Sequence, residues 1–157
     1  MFAAKRFTKD EALKKIKHYC SYQERSHREV MDKLYTFGLY KAEVNEVISA
    51  IIEENYLNEE RFALQFAGGK FRIKQWGRKK IQYELQQKGV SPYLIKTALK
   101  ALDKDEYLQT LHKLANKKWK ELTGEHYLAR QSKTISYLLH KGYEQQLASK
   151  TVSELKS

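Results

Sequence analysis

Apolar residues recur at helical spacing along nearly the whole chain, and the pattern they form is repeated three times. Gly38, Gly89 and Gly142 stand about fifty residues apart, each preceded at four residues by a leucine (Leu34, Leu85, Leu138). The residue after each glycine is apolar (Leu39, Val90, Tyr143), as are those six beyond (Val44, Ile95, Ala148) and ten beyond (Ile48, Leu99, Val152). Self-similarity at this period marks tandem helical units, each too small to bury a generous core alone. The spacing predicts an all-α fold of three three-helix repeats, residues 1–55, 56–103 and 104–157, about nine helices in an elongated, curved arrangement.

Within the first repeat, Ala12, Leu13, Ile16, Tyr19 and Cys20 make the apolar stripe of a helix from about Lys9 to Tyr22. Thr8 with Glu11, and Ser26 with Glu29, fit capping boxes, in which hydroxyl and carboxylate each satisfy a free amide at a helix start. The second helix carries Val30, Leu34 and Phe37 and closes at Gly38, and the third, about Lys41 to Glu54, carries Val44, Val47, Ile48, Ile51 and Ile52. The middle repeat opens at Asn58 with Glu59 and Glu60 in the first turn, where the helix dipole favours negative charge. Phe62, Phe66 and Ile73 are its expected apolar side. Gly68-Gly69 costs about 1 kcal/mol per glycine relative to alanine, so this helix should kink or end there. A helix from about Gly77 to Lys88 buries Ile81 and Leu85, and Ser91-Pro92 starts the next, with Ile95, Ala98, Leu99 and Leu102 inside. The last repeat starts near Asp103 with a longer helix (Leu108, Leu111, Ala115, Trp119, Leu122). A Thr123-Gly124 break precedes a helix carrying Leu128, Ile135, Leu138 and Leu139, and Leu147, Ala148, Val152 and Leu155 mark the final one.

Charge changes this picture from a scaffold to a binder. The chain has a formal net charge of +11, which points to a polyanionic partner or an acidic protein groove. Between Arg61 and Tyr83 there are seven basic residues and no acidic one; Lys70, Arg72, Lys74, Arg78, Lys79 and Lys80 crowd around Phe71 and Trp76. Cations displace counterions from phosphates while rings stack on bases, and ordinary solvated faces mix both signs. A weaker basic cluster (Lys113, Lys117, Lys118, Lys120) lies on the long helix of the third repeat, where Trp119 reads as core.

Catalytic chemistry finds no foothold. Five histidines lack metal-ligand spacing, the single Cys20 sits on an apolar helix face, and Gly68-Gly69 lacks the strand and spacing of a phosphate loop. The chain reads as a non-enzyme without cofactor or metal, cytoplasmic, with no apolar run of the roughly 20 residues a membrane span needs.

Three segments carry a resemblance. Gln23-Glu24-Arg25-Ser26-His27-Arg28-Glu29-Val30-Met31-Asp32-Lys33-Leu34 resembles the opening motif of the RecX regulatory proteins. Tyr56-Leu57-Asn58-Glu59-Glu60-Arg61-Phe62-Ala63 is similar to the family's middle signature, and the run from Trp76 through Val90 to its longest motif. The likeness extends from about residue 9 to 155 and weakens in the third repeat, where Thr134 replaces the apolar residue of Val30 and Ile81. Much of the signature is structural: Ser26 and Glu29 cap, Gly38 and Gly89 terminate, Leu34, Ile81 and Leu85 pack. Arg61, Lys70, Arg72, Lys74, Trp76, Arg78, Lys79 and Lys80 are left as the expected contact set, with Trp76 supporting the cations. The resemblance implies a monomeric modulator of the RecA recombinase that lies in the groove of the RecA–DNA filament. It further implies inhibition of strand exchange and ATP hydrolysis in recombination, DNA repair and the SOS response. DNA alone, single- or double-stranded, would be bound weakly and without sequence preference.

Two other classes fit the residues. A helix-turn-helix DNA-binding protein would share the three-helix outline, but the third-helix starts at Lys41, Pro92 and Glu144 present no consistent set of groups for base edges. A protein-interaction scaffold without nucleic-acid contact would bind its partner insensitively to salt.

Overall fold

The computed structural model describes residues 6–155 and contains, among them, nine α-helices and no strand. In order these are α1 (Lys9–Tyr22), α2 (His27–Thr36), α3 (Lys41–Glu53), α4 (Glu59–Gly69), α5 (Arg78–Gln87), α6 (Pro92–Lys100), α7 (Lys104–Glu121), α8 (Tyr127–Lys141) and α9 (Gln145–Ser153), with a π-helical turn, Lys70–Lys74, extending α4. The chain divides into two compact units. One runs through Gln65 and includes Leu85–Ile95; the other holds Phe66–Glu84 and the described residues from Lys96 onward. Helices α4, α5 and α6 therefore each contribute residues to both units.

In the first unit α1, α2 and α3 pack pairwise around Ile16, Val30, Leu34, Val44, Val47 and Ile51, all buried. Both expected capping boxes form: Thr8 and Ser26 accept from the amides of Glu11 and Glu29, whose carboxylates accept from the cap amides in return. Cys20 is buried, and burial pushes its thiol up to about 11, so it behaves as a small hydrophobe. Ile52, expected inside, is 43% exposed, because the buried row of α3 runs through Val44, Val47 and Ile51.

In the second unit α7, α8 and α9 form the corresponding triplet, with Tyr107, Leu111, Ala115, Trp119, Leu138, Ala148 and Val152 buried. The buried row of α8 is Arg130, Thr134 and Leu138, whereas Leu128, expected to pack, is 65% exposed. Polar side chains can occupy that row because each is satisfied. Arg130 donates from Nε and Nη2 to the Trp119 carbonyl at 2.9 and 2.8 Å, capping the C-terminus of α7, and its guanidinium lies 4.0 Å from the Trp119 ring centroid. The Thr134 hydroxyl donates to the Arg130 carbonyl at 2.8 Å.

The three repeat glycines all adopt left-handed φ (+85°, +77° and +104° at Gly38, Gly89 and Gly142), the conformation that penalises a Cβ. Their apolar followers Leu39, Val90 and Tyr143 are buried each time.

Candidate nucleic-acid interface

The α register ends at Gly69, where the glycine pair predicts a kink or an end, but the chain stays helical. The α4 backbone passes through both glycines into the π-helical turn and stops at Gln75, whose φ of +58° is left-handed. A Cβ on Gly68 would lie 2.8 Å from Nη1 of Arg72, so that glycine leaves room for the guanidinium one turn on. The wider turn brings Phe71 inward against Tyr107, ring centroids 5.7 Å apart, and leaves Arg72, Ile73 and Lys74 exposed. Ile73 is thus not on the apolar side: it is 79% exposed, since the π turn shifts the buried register to Phe71.

Two contacts fix the end of this turn. The Tyr143 hydroxyl donates to the Gln75 carbonyl at 2.9 Å, and the Lys141 ammonium donates to the Lys74 carbonyl at 3.0 Å. The start of α5 then meets the end of α8 backbone to backbone. Gly77 N donates to the Lys141 carbonyl (2.9 Å) and Lys79 N to the Gly142 carbonyl (2.8 Å). The approach needs glycine on both sides. A Cβ on Gly77 would sit 2.4 Å from the Gly142 carbonyl carbon, and one on Gly142 would sit 2.4 Å from Lys80 Cβ. Arg78 N donates to the Tyr107 hydroxyl at 2.9 Å. The amides that a helix start leaves unpaired are here satisfied from α7 and α8, without a Ser, Thr or Asp cap.

The eight residues of the expected contact set do not share one role. Arg61, in the first unit, pairs with Glu24 and also donates to the carbonyls of Asn55 (3.0 Å) and Tyr56 (3.4 Å), tying the turn after α3 to α4. Arg78 pairs with Glu144 at 2.8 Å and lies 3.8 Å from the Tyr107 ring centroid. Burial pushes the Glu144 carboxyl up, but hydrogen bonds from Tyr107 and Arg78 outweigh it and hold the group below its ordinary value. Both arginine charges are therefore answered by carboxylates inside the fold.

The other six face outward or line one surface of the second unit. Trp76 is half-buried, with the ammonium groups of Lys70 and Lys80 at 5.1 and 4.7 Å from its ring centroid and Phe66 edge-on at 6.4 Å. Arg72, Lys74 and Lys79 are exposed. Among the described residues, Lys70, Arg72, Lys74, Lys79 and Lys80 have no carboxylate within ion-pair distance. The structure adds two lysines that the expected set lacks. Burial, then the charges of Lys80, Lys117 and Lys74, hold the Lys141 amine below its ordinary value, which places the Lys141 ammonium in the field of the other three. Lys117 belongs to the cluster read on α7; Lys141 precedes the closing Gly142 and enters only through the Gly77–Gly142 approach.

This arrangement is electrostatically unfavourable by itself. Arg78, Lys79 and Lys80 occupy the first turn of α5, where the helix dipole favours anions; the turn has no acid of its own, and Glu144 answers Arg78 alone, leaving Lys79 and Lys80 without a carboxylate among the described residues. With the amides of that helix start already taken by α7 and α8, it is the unpaired ammonium groups that would stabilise an anion arriving from outside. Among the described residues no group of three or more His, Cys, Asp or Glu could hold a metal ion, and no helix is long and apolar enough to cross a membrane.

Comparison with known proteins places the chain. The second three-helix domain of RecX matches residues 58–99 and the third matches residues 105–152. A regulatory protein RecX from Clostridium tetani is 34% identical over 137 residues, 86% of this chain and 61% of that one. A regulatory protein RecX from Oceanobacillus iheyensis is 28% identical over 138 residues, 88% of this chain and 51% of its own length. The chain thus spans about half to three fifths of these relatives. The crystal structure of RecX from Lactobacillus salivarius superposes with a TM-score of 0.86 at 24% identity, covering 94% of this chain and 96% of that one, which shows a shared fold. A second RecX crystal structure superposes with a TM-score of 0.84 at 20% identity, covering 93% of this chain and 72% of the other. With two consecutive RecX domains matched over more than half of its residues and this fold beneath them, the chain belongs to the RecX family of regulatory proteins.

Proposed function

We propose that this chain modulates the RecA recombinase by binding in the groove of the RecA–DNA filament. There it damps strand exchange and ATP hydrolysis by hindering filament growth or favouring disassembly. The observation that supports this reading is the cluster Lys70, Arg72, Lys74, Lys79, Lys80, Lys117 and Lys141, drawn from the π turn, α5, α7 and α8 and unanswered by carboxylates among the described residues. Their field steers the protein toward a negatively charged filament, and their ammonium and guanidinium groups meet phosphates or acidic groove residues. Arg61 and Arg78 act inside the fold in this reading, and Trp76 spaces Lys70 from Lys80.

The test is co-sedimentation with preformed RecA–DNA filaments at two salt concentrations, with naked DNA as control. If about six phosphates are neutralised, affinity falls roughly a thousandfold between 50 and 200 mM salt. Replacing Lys70, Lys74 and Lys80 by Glu should abolish filament binding while leaving helicity nearly unchanged and Tm not lowered, since the change also relieves the repulsion on Lys141. Unaltered inhibition of RecA by a folded triple variant would defeat the assignment.

A further inference from the structure

A second cationic site lies in the first unit and is made of residues that the basic strip does not include. Between α1 and the start and end of α2 is an open groove of ≈ 590 Å³, the size of pockets that hold a small ligand. Its charged lining is Lys14, Lys15, Arg25 and Lys33, with His18 beside them and no carboxylate among the lining residues. None of these five groups is in an ion pair among the described residues. Glu29 and Asp32, whose charges reach Tyr19, stand outside the lining, and Glu29 is already engaged in the α2 capping box.

The same groove carries aromatic rings in two states. Tyr19 is covered: the Arg25 guanidinium lies 3.7 Å from its ring centroid and the Lys33 ammonium 5.4 Å, and Arg25 Nε is pinned by the Tyr19 carbonyl at 3.1 Å. Tyr22, at the end of α1, also lines the groove and is 78% exposed. A fixed guanidinium, three ammonium groups without a carboxylate partner among the described residues and one open ring ask for a ligand with both anionic oxygens and a flat π face. An acidic peptide supplies the first and has the second only where an aromatic residue falls at the right spacing, a paired duplex hides the second within its stack, and every nucleotide of a single strand carries both.

We infer that this groove binds a nucleotide unit of single-stranded nucleic acid, its base stacked on Tyr22 and its phosphates on Lys14, Lys15, Arg25 and Lys33. The site is separate from the filament-binding strip, so each can fail without the other. Strand binding at the first unit would let the protein hold an unpaired segment independently of any contact made by the second.

The experiment is fluorescence anisotropy with a labelled short oligothymidylate, an abasic oligomer of equal phosphate count, a duplex, and thymidine monophosphate as competitor. Tyr22→Ala should weaken oligothymidylate binding by about five- to a hundredfold, the range of one base–aromatic stack, and leave the abasic oligomer unaffected. Lys14→Glu with Lys33→Glu should weaken both. The Lys70, Lys74 and Lys80 triple Glu variant should keep the Tyr22-dependent difference between the two oligomers, which separates this site from the strip. The inference is overturned if Tyr22→Ala binds oligothymidylate as the parent does, if it weakens duplex binding equally, or if thymidine monophosphate competes as strongly per mole as the oligomer. Tyr22 is exposed, so unchanged Tm in that variant accompanies the expected result.

Discussion

Buried and half-buried arginines in this chain divide by what answers them, and that decides what each substitution does. Arg130 meets a helix-end carbonyl and an indole face with no carboxylate, so Arg130→Ala strips the Trp119 carbonyl of both guanidinium donors, leaves it only the Leu122 amide at 3.2 Å, and uncovers the indole face. We expect a loss of about 2–4 kcal/mol in denaturant unfolding. Arg61→Ala leaves Glu24 without its partner and frees the Asn55–Tyr56 turn; a loss of about 1–3 kcal/mol is expected, with salt-dependent filament binding preserved in the folded fraction. Glu144 gives a pH signature. Its folded pKa lies below its ordinary value, so its contribution is present above about pH 4.5 and is lost as pH falls through the folded pKa. Glu144→Gln should flatten that acid limb of the stability curve; an unchanged limb would mean that Tyr107 and Arg78 do not hold the carboxylate as drawn.

At the scale of elements, two glycines in one helical region have opposite demands. Gly69 has helical φ and ψ (−65°, −46°) and open space where a Cβ would go, so Gly69→Ala should stabilise by about 0.5–1 kcal/mol. Gly77→Ala drives a Cβ into the Gly142 backbone, so it should part α5 from α8 and weaken nucleic-acid binding together with stability. Thermal melts of the two variants check the contrast. The sequence pattern foretold the helices, their capping boxes and the closing glycines, because these depend on neighbours within four residues. It did not foretell the π turn, since the propensity cost of Gly68-Gly69 predicts a weak point but not which hydrogen-bond register replaces the α one. The same limit hid Arg130, whose charge reads as surface until the Trp119 carbonyl is seen to satisfy it; the repeat put Thr134 at the position of Val30 and Ile81, but not the Arg130 carbonyl that lets a hydroxyl sit there. Of the site, the acid-free strip was legible from composition. The division of labour within it was not, because Glu24 and Glu144 lie 37 and 66 residues from the arginines they answer.

For the whole molecule, a net charge of +11 means self-repulsion, and at Lys141 the charges of Lys80, Lys117 and Lys74 add to a burial that already disfavours the ammonium form. Its folded pKa lies below the unfolded value, so between the two the unfolded chain binds the extra proton and stability rises with pH; below both, the charged amine is a standing penalty. A residue kept under penalty beside Lys74, Lys80 and Lys117 is reasonable if a bound polyanion relieves it. Lys141→Met should therefore raise Tm in low salt and remove the rise in stability approaching pH 10, yet weaken binding to RecA–DNA filaments. A polyphosphate should raise the Tm of the parent more than chloride of equal ionic strength, through preferential binding to the folded state, and should do so less in Lys141→Met. If the variant is less stable than the parent in low salt, the hydrogen bond from Lys141 to the Lys74 carbonyl outweighs the repulsion. The cluster would then be a fastening for the π turn and not a surface held ready for phosphate.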